Sequence, residues 1–175
     1  MEKKNSDHCK CCKCGNPCKC CESGLEEYKN THFAEAMILS CIDYRFIDTV
    51  ISFLETDPVL SLRYDLSTLA GASLGYNQNK FKCWRPTFIQ LVELAIELHH
   101  IKQLIVFDHM DCGAYQLLYP DIELNTEEER QLHIKNIRQF IRSSKKIFPQ
   151  LIYSGYLVHD DGRIEEIVRK SQLSA

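Results

Sequence analysis

Residues 87–109 read Thr-Phe-Ile-Gln-Leu-Val-Glu-Leu-Ala-Ile-Glu-Leu-His-His-Ile-Lys-Gln-Leu-Ile-Val-Phe-Asp-His, and a change of period inside this stretch decides the fold. Up to His99 the apolar positions Phe88, Leu91, Val92, Leu94, Ala95 and Leu98 recur with helical spacing, and Pro86 stands where a first turn tolerates it. From Gln103 the run Gln-Leu-Ile-Val-Phe is continuously apolar and of strand length, and it ends at Asp108-His109. A strand that is apolar on both faces has to be covered on both faces. A parallel sheet between helices meets that condition.

The alternation continues outward in both directions. Ala36 to Ser40 (Ala-Met-Ile-Leu-Ser) reads as a buried strand ending at Cys41. Phe46 to Glu55 has a helical stripe in Phe46, Ile47, Val50, Ile51 and Leu54, with Pro58 beyond its end. Tyr64 to Ala70 is a second strand, closed by Gly71 and Gly75. A long helix is expected from about Thr126 to Ile147, with Glu127, Glu128 and Glu129 in a first turn that favours negative charge. Leu151 to His159 is a last strand before the turn Asp160-Asp161-Gly162. No internal repeat is visible. The predicted fold class is α/β, a mainly parallel β-sheet flanked by helices. Ligands in such sheets bind outside the carboxyl ends of the strands. Cys41 closes the first strand and His109 the third, so the topology brings both to one edge.

With 175 residues and 45% hydrophobic content, the chain can bury one proper core. A net charge of -3 gives no sign of nucleic acid or an anionic membrane as partner. No apolar run is long enough for a transmembrane helix, and Met1 to Ser6 is not followed by a signal-peptide core. The expected compartment is therefore a reducing cytoplasm. Of ten cysteines, seven fall between His8 and Cys21, and only Cys41, Cys83 and Cys112 lie elsewhere. Residues 1–23, with almost nothing apolar, form a cysteine-rich tail that either binds metal or stays disordered. Residues 24–175 form the folded domain.

Two motifs occupy the predicted sheet edge: Cys41-Ile42-Asp43-Tyr44-Arg45 and His109-Met110-Asp111-Cys112-Gly113. Cys41, His109 and Cys112 offer two thiolates and an imidazole, a set that suits zinc. Three protein ligands leave a tetrahedral ion one open position, the mark of a catalytic rather than a structural site. The competing reading is two buried cysteines acting as small hydrophobes beside a satisfied histidine. Placement of both motifs at strand ends favours the metal.

The pattern resembles the β-class carbonic anhydrases, which carry C-x-D-x-R after a first core strand and H-x-x-C-G after a later one. The resemblance spans roughly Phe33 to Lys170 and includes Leu69-Ala70-Gly71-Ala72-Ser73. It implies Cys41, His109 and Cys112 as zinc ligands and Asp43 with Arg45 as a catalytic dyad. It also implies reversible hydration of carbon dioxide to bicarbonate by a zinc-bound hydroxide that Asp43 orients and Arg45 supports. Should the dyad break, Asp43 could become a fourth ligand and close the site. A homodimer or higher homo-oligomer is implied by the family alone. Departures from the pattern are Tyr44 before the dyad arginine, Leu69 to Ala72 without side-chain amides, and Ala114 for a second glycine. These surround the metal rather than bind it, so carbon disulfide or carbonyl sulfide stands as an alternative substrate.

The tail resembles a stretch of metallothionein. Cys9, Cys11, Cys12, Cys14, Cys18, Cys20 and Cys21 are a candidate second metal site, with lysines offsetting thiolate charge. A non-catalytic metal-buffering or metal-sensing protein is therefore a further reading. Among lesser candidates, His99-His100 reads as a solvated helix end, Cys83 as core or interface, and His159 as structural. Tyr76, Phe81 and Trp84 read as either core or the wall of a narrow pocket.

Overall fold

The computed structural model describes residues 32–61 and 63–169. The cysteine tail and its candidate metal site lie outside the described residues. Among the described residues, five strands form one sheet: β1 (Ala36–Ser40), β2 (Tyr64–Thr68), β3 (Gln103–His109), β4 (Ile152–Val158) and β5 (Ile164–Val168), in the order β2-β1-β3-β4-β5. The first four are mutually parallel, and β5 returns antiparallel along β4. The α/β, mainly parallel expectation holds. The sequence pattern missed β5, because Ile164-Glu165-Glu166-Ile167-Val168 is an edge strand with no continuous apolar run.

Among the described residues, five α-helices, α1 (Ile47–Glu55), α2 (Ser73–Asn77), α3 (Trp84–His99), α4 (Gly113–Leu118) and α5 (Glu127–Ile147), and two 3-10 turns, at Tyr44–Phe46 and Asn79–Phe81, accompany the sheet. The alternation of side chains along β1 and β3 sorts the core into two halves. Met37, Leu39, Leu104 and Val106 meet Phe88, Val92 and Ala95 of α3 and Ile137, Phe140 and Ile141 of α5. On the other face Ala36, Ile38, Ile105 and Phe107 meet Phe46 and, from α1, Val50 and Leu54. This is why β1 and β3 are buried at every position, whereas edge strand β2 is not.

The helical stripe of α3 is only partly used. Phe88, Val92 and Ala95 are buried, but Leu91, Leu94 and Leu98 are exposed, because the helix carries more apolar surface than this sheet covers. Close approach of α5 depends on Gly155 in β4: a Cβ there would overlap Ile137 Cγ2.

Candidate metal centre

Cys41 follows the last residue of β1, His109 ends β3, and Cys112 immediately precedes α4. All three are buried. The parallel pairing of β1 with β3 makes their carboxyl ends neighbours, and the three ligand atoms lie within 4.8 Å of one another. Among the described residues, no other group of three His, Cys, Asp or Glu side chains is so placed.

The donors are prepared for a cation. His109 Nδ1 donates to the Met110 carbonyl at 2.7 Å, so the lone pair sits on Nε2. That Nε2 is buried without a hydrogen-bond partner. The Phe46 ring stacks on the imidazole at 4.2 Å between centroids and fixes its plane. Cys41 Sγ accepts the Gly71 amide at 3.2 Å. Gly71 is at φ 72°, a conformation that favours glycine, and a Cβ there would stand a tight 3.1 Å from the Ala114 side chain. Here a backbone amide serves the thiolate in a stretch that has no side-chain amides. The Cys112 thiol beside Cys41 lowers the Cys41 pKa, and the same contact raises that of Cys112. A tetrahedral zinc, with Zn–S about 2.3 Å and Zn–N about 2.0 Å, fits donors of this type and spread.

Asp43 and Arg45 lie beside the cluster. Asp43 caps the 3-10 turn, accepting the Arg45 amide at 3.1 Å on Oδ1. Arg45 Nε reaches both Asp43 oxygens, at 3.1 and 3.2 Å, and Nη2 donates to Oδ2 at 2.7 Å. Hydrogen bonds from the Arg45 side chain hold the Asp43 carboxyl below the usual carboxylate range. Its Oδ2 lies 3.9 Å from His109 Nε2, facing the ligand cluster. Arg45 also donates to the Asp111 carboxylate at 2.7 Å (Nη1) and to the Asp111 carbonyl at 3.0 Å (Nη2).

A buried polar network underlies the ligands, and sequence reading missed it. Asp108 accepts the Ser73 amide (3.0 Å) and hydroxyl (2.7 Å) and the Tyr115 hydroxyl (2.8 Å). His133, with no exposed surface, lies between Asp108 (Nδ1–Oδ2, 3.0 Å) and Glu129 (Nε2–Oε1, 3.5 Å). Burial opposes charge on His133, but the two carboxylates raise its pKa on balance. Glu129, equally buried, accepts the amides of Cys112 (3.0 Å), Asp111 (3.2 Å) and Asn125 (2.7 Å). These bonds and His133 outweigh burial and lower its pKa. Glu129 is therefore a clamp on the Asp111–Cys112 loop, in addition to lying in the first turn of α5. A signal existed: Thr126-x-x-Glu129 has the spacing of a capping box, whose glutamate turns back toward the chain. The signal for His133 was weaker, a single histidine one turn further along the same helix.

The other candidates lie elsewhere. His99 pairs with Asp65 at 2.8 Å, and His159 with Glu165 at 3.0 Å. Tyr76 is core, in edge contact with Phe88 and Phe140, while Phe81 and Trp84 stack on each other. Cys83, expected in the core or at an interface, is not in the core: it is exposed, immediately before the N-terminus of α3. A cleft beneath α1 lined by Phe53, Leu54, Pro58, Leu60 and Tyr156 is separate from the ligand cluster.

Comparison with known proteins bears on the family and the fold. A family model described as "Putative carbonic anhydrase" matches residues 30–168. An uncharacterized protein of Rickettsia conorii is 34% identical over 152 residues, covering 83% of this chain and 78% of its own. A tetrameric beta-carbonic anhydrase of Sordaria macrospora superposes with a TM-score of 0.52 at 15% identity, covering 88% of this chain and 95% of its own. An apo carbon disulfide hydrolase superposes with a TM-score of 0.50 at 14% identity, covering 86% and 91%. At these identities the two solved structures establish likeness of fold.

Proposed function

Because the chain belongs to this carbonic anhydrase family, we propose that it is a zinc enzyme catalysing the reversible hydration of carbon dioxide to bicarbonate. Cys41, His109 and Cys112 would hold the ion, and Asp43 and Arg45 would act on the reactants. The observation that carries the reading is the buried Cys41–His109–Cys112 triangle, with an unpartnered Nε2 facing an arginine-held carboxylate. Bound zinc supplies a Lewis acid and a source of hydroxide near neutral pH.

The chain's own residues do the rest. Cys41 and Cys112 as thiolates balance the charge of the ion. The Met110 carbonyl keeps the proton on the far side of the His109 ring, leaving Nε2 as the donor atom. Asp43, ionised by Arg45, can accept only, so a nucleophile beside it has to point its hydrogen at Asp43 and a lone pair at the carbon. Arg45 holds that carboxylate by its fork, a geometry a lysine would not reproduce.

Stopped-flow hydration with a pH indicator tests the reading: zinc-loaded protein should be active across pH 7 to 9 and metal-stripped protein inactive, and no activity in the loaded protein would overturn it. A sulfide assay with carbon disulfide and carbonyl sulfide identifies the alternative substrates. The tail is proposed as a separate metal-binding region. Replacing its seven cysteines by serine in the full chain should lower metal stoichiometry while leaving turnover intact. A homo-oligomer and a reducing cytoplasmic compartment complete the proposal.

A further inference from the structure

We propose that Asp111 is a positioning residue of this site: it holds the outer edge of the Arg45 guanidinium, so that the inner edge stays on Asp43 and Asp43 stays off the Cys41–His109–Cys112 cluster. The inference rests on the proposed function for its effect on turnover and on geometry alone for its effect on the site.

Three observations carry it. The first is the division of the guanidinium. Nε and Nη2 face Asp43, while Nη1 donates to Asp111 Oδ2 at 2.7 Å and Nη2 also to the Asp111 carbonyl at 3.0 Å. Arg45 thereby joins the loop after β1 to the loop after β3. The second is exposure. The Arg45 side chain is 44% exposed and Asp43 18%, and a single ion pair that open to water is weakly held. A second carboxylate and a carbonyl from another loop tie down the arginine's outer edge. The third is backbone conformation. Asp111 sits at φ 55°, a left-handed conformation that side chains other than glycine adopt at a cost. Glu129 holds its amide there at 3.2 Å, which turns the carbonyl and the carboxylate of one residue onto the same guanidinium.

The consequence concerns Asp43. Its Oδ2 is already 3.9 Å from His109 Nε2, so little motion separates an oriented carboxylate from one that joins the cluster. Arg45 is what prevents that motion, and Asp111 is what keeps Arg45 in place.

The test compares wild type with Asp111→Gly and Asp111→Asn in the full chain. Glycine relaxes the left-handed backbone, keeps the carbonyl contact and deletes the carboxylate. A purely structural Asp111 therefore predicts an Asp111→Gly protein at least as stable and as active as wild type. A positioning Asp111 predicts normal thermal stability with kcat reduced about ten- to hundredfold, the effect of one lost charge-assisted hydrogen bond, and KM little changed. Asparagine, which keeps an oxygen acceptor without the charge, should fall between the two. In the cobalt-loaded protein, azide titrated into the visible spectrum should bind about tenfold more weakly to the glycine variant, because Asp43 competes for the open position. Wild-type azide affinity in Asp111→Gly overturns the inference, as does wild-type kcat. If the wild-type protein hydrates no carbon dioxide, the proposed function fails, and the azide titration still decides the role of Asp111.

Discussion

Replacing Glu129 by glutamine should damage this protein far more than its place in a helix first turn suggests. The two oxygens of Glu129 accept amides from Asn125 (2.7 Å), Cys112 (3.0 Å) and Asp111 (3.2 Å), and His133 Nε2 lies 3.5 Å from Oε1. Glutamine has one oxygen. In its better orientation that oxygen keeps Asn125 and Asp111, and the side-chain amide is turned against the Cys112 N–H and the His133 ring. One charge-assisted bond is lost, worth about 1.5–3 kcal/mol, and a buried donor is left unpaired at about 1–3 kcal/mol. Local relaxation recovers part of this, so about 3 kcal/mol of destabilisation is expected. Interaction with the helix dipole alone would give about 0.3–1 kcal/mol.

Glu128, exposed in the same turn, provides the control. Urea unfolding and thermal melts of Glu129→Gln and Glu128→Gln should differ clearly, with Tm lowered about 6–12 °C for the buried site and hardly at all for the exposed one. Because the clamp fixes the Cys112 amide, zinc affinity by chelator competition should also fall about ten- to hundredfold. A Glu129→Gln protein as stable as Glu128→Gln, with unchanged zinc affinity, would refute the reasoning.

Two further outcomes follow from packing and charge. Glu165 is held from its ordinary value of 4.5 down to about 2, by Arg130 first and then by His159. Its contribution is complete above the unfolded value near 4.5 and disappears as pH falls through about 2. Wild type should therefore lose stability steeply over that window, while Glu165→Gln shows a shallower acid limb and starts about 1 kcal/mol lower at neutral pH, a figure discounted for solvent screening. Equal acid slopes in the two proteins would contradict this. Gly155→Ala adds a Cβ where Ile137 Cγ2 already stands, so the urea midpoint should fall by the equivalent of about 1–3 kcal/mol. Ile137→Ala in the same chain should recover part of the loss, and an unaltered midpoint in Gly155→Ala would show that α5 lies further from the sheet.

Much of this architecture was legible because its signals are local. The runs Ala36–Ser40 and Gln103–Phe107 are apolar on both faces, and only strands covered twice need to be. The helical stripe of residues 47–55 predicted α1, and the first-turn glutamates marked the start of α5. β5 was not legible, since an edge strand has no reason to be apolar throughout. Nor was the exposure of Leu91, Leu94 and Leu98, because a stripe shows that a helix has an apolar face without showing how much of it a neighbour reaches.

The candidate site divides in the same way. Residue chemistry and strand-end position were enough to single out Cys41, His109 and Cys112, because a thiolate or an imidazole advertises its chemistry by type, whereas Asp43 and Arg45 were singled out by the family resemblance. Tertiary structure alone decided that the Asp111 carboxylate meets Arg45 across two loops, and that Glu129 and His133 support the ligand loop from beneath. An aspartate or a glutamate in sequence is by default a solvated charge. Only the fold turns it into part of a site, by burying Glu129 among amides in need of a partner and by bringing Asp111 against Arg45.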